Sequence, residues 1–372
     1  MTVNRLVALD MPASVEFADH VRKAWDAGDA VFPIDQRLPQ AAKDSLVEQF
    51  KPSVLIDRTG SVVNLLGSEP TEEGDALVIA TSGSTGAPKG VVHTHDSIRA
   101  LVNMSQARLR TDSSTHWLLC LPVSHVAGFS VLARSLVFGN PISILPKFDE
   151  SEVLAAAKSG ATHISLVPTT LNRIDPAIFE SILLGGAAAP PNLPANVTTT
   201  YGMTETFGGI VYNGIPLDGI HVRVADEHIE LQSPSLFRTY RGSKAQLSVE
   251  GWYETGDNGS FTNNVLQVFG RSDDMIITGG ENVWPIAVER VVSTIPGVER
   301  VVVRGIDDAQ WGQRVVAWIV SSNAVAPSLE KVRQHVKQQL PSFCAPTEIR
   351  IVNDIPTTSL GKVDFQALKI LR

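Results

Sequence analysis

The chain has 372 residues, of which 43% are hydrophobic and 19% are charged, and its net charge is −8. The composition is globular and the length allows a core plus a second domain. The acidic balance argues against nucleic acid or an anionic membrane as a partner. No apolar run approaches the roughly 18 residues of a membrane span, and the N-terminus has no signal-peptide pattern. Cys120 and Cys344 lie far apart in apolar surroundings, which predicts reduced core thiols in a cytoplasmic protein.

Short apolar runs in the first half of the chain predict buried strands, and helical patterns alternate with them. The strands are expected at 76–81, 116–122, 141–146 and 162–168. The helices are expected at roughly 95–109, 126–138 and 150–158. Strand–helix alternation is typical of an α/β fold with a largely parallel sheet.

The pattern changes after Gly209 and predicts a β-rich subdomain over roughly 210–270. The remainder predicts a small α+β unit with helices at 285–295 and 328–339 and strands at 299–305, 314–320 and 348–352. We therefore expect a large N-terminal α/β domain over 1–272 and a C-terminal α+β domain over 273–372. The polar segment GRSDDMI between them is typical of a hinge.

The segment TSGSTGAPKG, residues 81–90, directly follows the first of these strands. Glycines let backbone N–H groups converge on an anion, hydroxyls add donors and Lys89 supplies positive charge, so the segment predicts a phosphate site. It is not a Walker loop, because Pro88 stands where the second glycine is required and Gly90 follows the lysine. The alternative is a surface turn between the strand and the helix predicted at 95–109.

Arg134 is the one charged residue in the apolar helix predicted at 126–138. A buried arginine needs an anion, and the guanidinium suits bidentate recognition of a carboxylate. Arg134 therefore predicts a substrate with a second carboxylate besides the reacting one. The alternatives are an arginine that reaches solvent or one that pairs with a protein acid.

Eight motifs in order resemble those of the acyl-adenylate-forming (AMP-binding) superfamily, from roughly residue 25 to the end. Besides TSGSTGAPKG they are VFPIDQRLP (31–39), LPVSHVAGF (121–129), LLGGAAAP (183–190), TYGMTET (200–206), GWYETGD (251–257), GRSDDMIITGGENVWPIAVE (270–289) and TTSLGKVDF (357–365). The resemblance implies an ATP-dependent acid–CoA ligase that uses Mg²⁺. A carboxylate would attack the α-phosphate of ATP and release pyrophosphate, and the CoA thiol would then attack the acyl-adenylate.

The resemblance also implies roles for single residues. Lys362 would bridge the carboxylate and the α-phosphate, Thr204 would donate to phosphate, and Glu205 would bind Mg²⁺. Asp257 and Arg271 would hold the ribose, with a surface ion pair as the alternative. The other ATP contacts that it implies are Thr81, Ser82, Gly83, Ser84, Thr85, Gly86, Lys89, Gly185, Gly186, Ala187, Tyr201 and Gly202.

Two half-reactions that share one site imply a hinge, which the resemblance places at Asp273. Gly279 and Gly280 would line a CoA channel in the second arrangement. His125 would gate the access of the acyl group, and a core histidine with no such role is the alternative.

Within the superfamily, residues 200–224 resemble the short actinobacterial 2-succinylbenzoate–CoA ligases of menaquinone biosynthesis, with Arg134 in the matching place. Their substrate is a dicarboxylate, and Gly208 and Gly209 would leave room for its aromatic ring. Most superfamily members have a longer segment before the glycine-rich loop. A shortened N-terminal domain is therefore expected, which leaves part of the CoA contact and the oligomeric state open, a homodimer included.

Three other functions are weighed against this interpretation. One is an acyl-CoA ligase for another small mono- or dicarboxylic acid of malonyl or aryl type. Another is a Walker-type NTPase, which the misplaced lysine disfavours. The third is a nucleotide-binding module that has lost catalysis, which the presence of Lys362, Glu205 and Asp257 disfavours.

Overall fold

The computed structural model describes residues 4–82, 88–187, 189–190, 192–241, 248, 250–322, 326–357 and 363–371, with the backbone only at Ser82. The chain divides into two compact units. The first consists of Met1–Ala189, Leu193–Val222 and Leu231–Tyr253, and the second of Pro190–Asn192, Arg223–Glu230 and Glu254–Arg372.

The strands and helices of the described residues follow in chain order. The strands are β1 Leu6–Asp10, β2 Ala30–Pro33, β3 Val54–Asp57, β4 Val62–Asn64, β5 Asp75–Ser82, β6 Pro88–Thr94, β7 Trp117–Leu119, β8 Ile142–Ile144, β9 His163–Leu166, β10 Ser181–Leu184, β11 Val197–Met203, β12 Gly208–Tyr212, β13 Ile215–Pro216, β14 His221–Ala225, β15 His228–Gln232, β16 Thr239–Arg241, β17 Tyr253–Thr262, β18 Val265–Arg271, β19 Ile276–Thr278, β20 Glu281–Val283, β21 Val298–Asp308, β22 Gly312–Ser321 and β23 Glu348–Ile351. The α-helices are α1 Val15–Asp26, α2 Gln40–Phe50, α3 His95–Leu109, α4 Val126–Phe138, α5 Glu150–Lys158, α6 Pro168–Leu171, α7 Pro285–Ser293, α8 Leu329–Lys337 and α9 Phe365–Ile370.

The first unit contains two seven-stranded sheets, ordered β16-β6-β5-β2-β1-β3-β4 and β13-β12-β11-β10-β9-β7-β8. Their central strands pair in parallel, whereas β4, β6, β12, β13 and β16 pair antiparallel. The predicted α/β class is confirmed, but the sheets are mixed at their edges. Helices α3, α4 and α5 have the bounds that the sequence predicted.

Strand β6 was missed by the sequence prediction. It pairs antiparallel with β5, with Thr81 opposite Lys89 and Ser82 opposite Pro88. The glycine-rich segment 83–87 therefore connects two antiparallel strands instead of leading into a helix. The apolar stretch within β6 spans only a few residues, too few for a clear strand pattern beside so much glycine and serine.

The carboxyl end of β11 packs against β12 at backbone distance. A Cβ atom at Gly202 would lie 1.9 Å from the carbonyl oxygen of Gly208. Thr200 fills the neighbouring space, because Cβ atoms at Gly185 and Gly209 would lie 2.4 Å and 2.7 Å from its side chain. Three strands can therefore converge here only because these positions lack side chains.

The second unit contains most of the four-stranded sheet β14-β15-β17-β18 and the whole sheet β20-β19-β22-β21, with β23 parallel to β22. Phe269 on β18 lies 6.3 Å from Trp284 before α7, ring centre to ring centre. The division after Tyr253 lies ahead of the predicted boundary at 272/273, which stays a prediction. The hinge at Asp273 stays a prediction.

The other two expectations about the chain as a whole concern its thiols and membrane spans. Cys120 and Cys344 are both buried and form no disulfide. In the part of the chain that the structure describes, no helix is both long and apolar enough to cross a membrane.

The close approach of β11 and β12 yields a first prediction. A Gly202→Ala substitution forces the backbone apart and should lower the free energy of unfolding by about 1–3 kcal/mol, as overpacking does. At Gly305 the nearest atoms to a Cβ belong to the side chain of Gln313, at 3.0 Å or more. Gly305→Ala is therefore the milder control and should cost clearly less than Gly202→Ala, because a side chain can shift where backbone cannot. Urea denaturation measures both, and equal stability of the two variants would contradict the packing argument.

Candidate active site

The cationic end of the predicted phosphate loop lies on β6. Thr81 lies two residues beyond Ile79, where the buried part of β5 ends, and Lys89 is its cross-strand neighbour. The Lys89 ammonium lies 5.1 Å from the ring centre of Tyr240. Gly83, Ser84, Thr85, Gly86 and Lys362 lie outside the described residues, and so does the side chain of Ser82.

The turn Thr204–Thr206, which leads from β11 into β12, is held by three hydrogen bonds to successive carbonyl groups. His93 Nε2 lies 2.7 Å from the first carbonyl oxygen. The backbone N–H of Phe237 donates to the second at 2.8 Å, and the Ser235 hydroxyl donates to the third at 3.1 Å. The backbone of the turn is therefore anchored from separate parts of the first unit.

The Glu205 carboxylate on this turn has a fixed donor. Tyr240 donates its hydroxyl hydrogen to Glu205 Oε1 at 3.0 Å and also lies 3.3 Å from the Tyr253 hydroxyl. Burial, together with the Glu205 charge, raises the pKa of Tyr240, so the phenol remains protonated and keeps donating. Glu205, the Tyr240 phenol and Lys89 thus place an oxygen ligand, a donor and a cation together.

The Glu205 carboxylate fits a hard cation that is coordinated partly by the protein and partly by a bound substrate. Among the described residues, no group of three or more His, Cys, Asp or Glu side chains could form a metal cage. Magnesium commonly takes one or two carboxylates and fills its other positions with water and substrate phosphates. A single oriented carboxylate at Glu205 is therefore sufficient protein ligation for Mg²⁺ beside a nucleotide.

The predicted ATP contacts Gly185, Gly186 and Ala187 lie directly after β10. Gly185 meets Thr200 as described above, and Thr200 donates to the Leu184 carbonyl at 3.3 Å. Gly186 has φ of +81°, a conformation that favours glycine. Ala187 follows it, and Tyr201 lies on the adjacent strand β11. The local structure thus accounts for Gly185 and Gly186 in addition to their predicted contact with ATP.

The predicted acyl side is formed where β12 faces α3 and α4. A Cβ atom at Gly208 would lie 3.5 Å from Leu101 and 4.0 Å from the Ser130 hydroxyl, with φ of +126°. A Cβ atom at Gly208 would therefore meet only ordinary van der Waals contacts. A Cβ atom at Gly209 would collide with Thr200, so this glycine also has a packing role, and its predicted place beside the aromatic ring stays a prediction.

Arg134 is 5% exposed, one turn beyond Ser130 on α4. Its Nη1 donates to the Ser130 carbonyl at 2.7 Å and its Nη2 to the Ser105 hydroxyl at 2.9 Å. The guanidinium carbon lies 4.6 Å from the ring centre of Trp117, and the Tyr212 hydroxyl lies 2.9 Å from Ser105. The cation is surrounded by neutral groups.

This arrangement excludes one alternative for Arg134 outright. The side chain does not reach solvent. Among the described residues, no ion pair joins it to a carboxylate, and burial lowers its pKa. A buried cation without a counter-charge is costly, which leaves an unmet demand for an anion at this position.

His125 precedes α4 and contacts the early proline–aspartate motif. Its Nε2 lies 2.8 Å from Arg37 Nη2 and 3.3 Å from Asp35 Oδ2. Burial alone would raise the pKa of Asp35, but hydrogen bonds from Arg37 and His125 outweigh it and lower the pKa. His125 thus contacts the ion pair between the buried Asp35 and the exposed Arg37, so it is not an isolated core histidine.

In the second unit, Asp257 and Arg271 are cross-strand neighbours on β17 and β18. Arg271 Nη1 lies 3.7 Å from Asp257 Oδ1 and donates to the Thr255 carbonyl at 3.1 Å. Asp257 is mostly buried, whereas the Arg271 side chain is half exposed. The pair therefore presents a carboxylate and a cation that are already oriented.

The predicted hinge and channel residues also lie in the second unit. Asp273 belongs to the 3₁₀ turn Ser272–Asp274. Gly279 and Gly280 form the turn between β19 and β20, with φ of +60° and +84°. A Cβ at Gly279 would lie 2.9 Å from the ring of Trp311, whereas Gly280 faces open space.

Four side chains that sequence reasoning did not assign support the site. His93 and Tyr240 hold the Thr204–Thr206 turn, and Asp35 and Arg37 hold His125. Asp35 and Arg37 lie within a quoted motif, so their charge was a usable signal. His93 and Tyr240 were not separable from ordinary strand residues, because their partners lie more than 30 residues away.

The family comparisons agree with this geometry. Residues 64–234 match the family described as "AMP-binding enzyme", and residues 287–362 match "AMP-binding enzyme C-terminal domain". A Mycobacterium tuberculosis protein named "Probable 2-succinylbenzoate--CoA ligase" is 39% identical over 337 residues, covering 82% of this chain and 88% of that protein. A 2-succinylbenzoate–CoA ligase of Enterococcus faecalis is 30% identical over 333 residues, covering 78% of this chain and 68% of that protein.

A solved structure supports the same relationship. The o-succinylbenzoate CoA synthetase from Bacillus subtilis, in complex with the acyl-adenylate intermediate OSB-AMP, is 25% identical with a TM-score of 0.85. The match covers 100% of this chain and 89% of that chain. Together with the two family matches, these similarities show that the chain belongs to the AMP-binding enzyme family.

Proposed function

We propose that the chain is an ATP-dependent acid–CoA ligase that forms an acyl-adenylate and then an acyl-CoA thioester. The acid that we propose is 2-succinylbenzoate, with a role in menaquinone biosynthesis. Family membership supports the two-step chemistry, and the names of the relatives support the acid. Within the chain, the main support for a dicarboxylic acid is the buried Arg134, which has no carboxylate partner among the described residues.

The phosphate end of the nucleotide would be held by the first unit. Thr81, Lys89 and Thr204 supply hydroxyl and ammonium donors, and Glu205 supplies the carboxylate for Mg²⁺. Bound Mg²⁺ would neutralise charge on the phosphates. Because the Thr204–Thr206 turn is anchored at all three carbonyls, Thr204 and Glu205 need little rearrangement when the nucleotide binds.

The base and sugar would be held by the remaining predicted residues. Tyr201 offers a ring for stacking on adenine, and the Gly185–Ala187 backbone together with Gly202 allows close approach of a flat base. Asp257 would accept hydrogen bonds from the ribose hydroxyls. Arg271 would join Asp257 at the same sugar.

The acid would lie beside Gly208, next to the helix that carries Arg134. One carboxylate reacts at the α-phosphate, and the other meets the charge demand of Arg134. His125 would gate the access of the acid, positioned by Asp35 and Arg37.

The first step joins two anionic groups, so it needs positive charge at the pentavalent phosphorus. Lys362 would supply that charge and withdraw after adenylation, when motion at Asp273 brings Gly279 and Gly280 to the CoA channel. This division of labour between the half-reactions makes them separable by substitution.

A pyrophosphate-release assay across a panel of mono- and dicarboxylic acids, with and without CoA, tests the function. We expect 2-succinylbenzoate to give the highest kcat/KM, with AMP as the nucleotide product. Release of ADP would contradict an AMP-forming ligase. A higher kcat/KM with a malonyl-type or simple aryl acid would reassign the substrate and leave the reaction class intact.

Lys362→Ala should reduce adenylate formation by at least about 10²-fold, because it removes charge stabilisation that only the first step requires. Attack of CoA on supplied acyl-adenylate should stay close to wild type. Lys369→Ala removes an exposed lysine of the same segment and serves as the control. If the folded Lys362 variant loses both half-reactions equally, the division of labour is wrong.

Gly280→Leu should slow thioester formation by at least about tenfold and spare pyrophosphate release, since its side chain would enter the proposed channel. The positive φ at Gly280 makes any side chain somewhat strained. Gly280→Ala carries the same backbone strain with little bulk and is the matched control. Equal thioester rates in the two variants would remove the channel assignment.

Arg134→Leu should reduce kcat/KM for dicarboxylic acids by roughly 30- to 1,000-fold, since loss of a charge-assisted contact costs ~2–4 kcal/mol. An analogue esterified at the non-reacting carboxylate should lose far less. By resemblance, the reacting carboxylate is the aliphatic succinyl one. Ser105→Ala breaks the Nη2 hydrogen bond while keeping the charge, so it controls for the structural network. A uniform drop across all acids would make Arg134 structural.

A further inference from the structure

His93 is a fully buried histidine with a polar partner at each ring nitrogen. It lies on β6, opposite Leu77 of β5, and it is 0% exposed. Nε2 lies 2.7 Å from the Thr204 carbonyl oxygen, and Nδ1 lies 3.2 Å from the Ser97 hydroxyl. The ring packs edge-on against Phe207 at 5.2 Å.

These contacts determine the protonation state of the ring. A carbonyl oxygen can only accept, so Nε2 must carry the hydrogen that bonds to Thr204. Nδ1 is then the acceptor and faces a hydroxyl. Burial lowers the pKa of His93 to about 4, so the imidazole is neutral at neutral pH. His93 is therefore a neutral donor with a single tautomer.

Among the described residues, His93 is the side chain of β6 that hydrogen-bonds directly to the Thr204–Thr206 turn. The bonds from Phe237 and Ser235 come from the segment that leads into β16. The first carbonyl also accepts the N–H of Phe207 at 3.0 Å, but that bond lies within the turn itself. Loss of the His93 donor would remove this direct bond and leave the turn tied to β6 through the segment before β16, whose Arg238 N–H donates to the Val92 carbonyl.

We propose that His93 is a positioning residue for MgATP. It fixes the Thr204 backbone relative to β6, so that the Thr204 hydroxyl and the Glu205 carboxylate face the nucleotide in one arrangement with Lys89. This inference rests on the proposed function, which assigns phosphate to Thr204 and Mg²⁺ to Glu205. Groups that orient metal ligands in this way typically change metal affinity or activity by 10–100-fold when they are removed.

Two substitutions separate the donor from the volume of the ring. His93→Gln places an amide N–H where Nε2 stands and can still donate to Thr204. His93→Leu fills similar space without a donor. Ser97→Ala removes the partner of Nδ1, together with two hydrogen bonds to the Thr94 backbone at the start of α3, and leaves the Thr204 bond intact, so it is the control on the other side of the ring.

The primary measurement is the dissociation constant of MgATP by titration calorimetry, which needs no acid substrate. We expect His93→Leu to weaken MgATP binding by about 10- to 100-fold. His93→Gln and Ser97→Ala should stay within roughly threefold of wild type. In the pyrophosphate assay, the KM for ATP should rise in His93→Leu while the KM for the acid stays unchanged, a split that a general loss of stability would not produce.

Three results would overturn the inference. One is MgATP binding by folded His93→Leu that equals wild type, and another is His93→Gln as weak as His93→Leu. If His93→Leu does not fold, His93→Asn replaces it, because its shorter amide reaches the Nδ1 side only. The third result that would overturn the inference is wild-type affinity for MgATP in that variant. Wild-type protein that binds MgATP but converts no acid of the panel would contradict the proposed function while leaving the role of His93 intact.

Discussion

Three hydrogen bonds to consecutive carbonyl groups hold the Thr204–Thr206 turn, and the arrangement of the candidate active site depends on them. The turn carries a hydroxyl and a carboxylate that must face a highly charged ligand. Backbone that is already paired cannot rearrange to pair elsewhere, so these side chains are preorganised. The sheet that supplies Lys89 also supplies His93, which connects the cation and the turn mechanically.

The two buried basic side chains of the first unit, His93 and Arg134, differ in their charge state. His93 is kept neutral, because burial disfavours its charge and both its nitrogens find neutral partners. Arg134 keeps its charge despite burial, because a guanidinium is so basic that a lowered pKa still leaves it protonated. A neutral donor suits a structural anchor, whereas a retained charge suits recognition of an anion.

Glycines, which lack a side chain, allow the close strand packing beside the candidate active site. At Gly202 a methyl group would collide with backbone, and at Gly185 and Gly209 it would collide with Thr200. These glycines bring β10, β11 and β12 close enough for the turn to leave the sheet where it does. In the sequence, the same glycines could equally indicate room for a ligand. Only the three-dimensional packing shows that they are needed for the close approach of the strands.

The sequence by itself determined the α/β class, the bounds of helices α3, α4 and α5, and the family. Its signals are local: apolar periodicity specifies helices, and motifs such as TYGMTET keep their order whatever the tertiary structure. Only the tertiary structure decided that β6 follows the glycine-rich segment, that Arg134 has no acid partner among the described residues, and that His93 holds Thr204. Such pairings join residues that are 111 positions apart in the case of His93. Neither partner signals the other along the chain, because a hydrogen bond depends on distance in space and not on spacing in sequence.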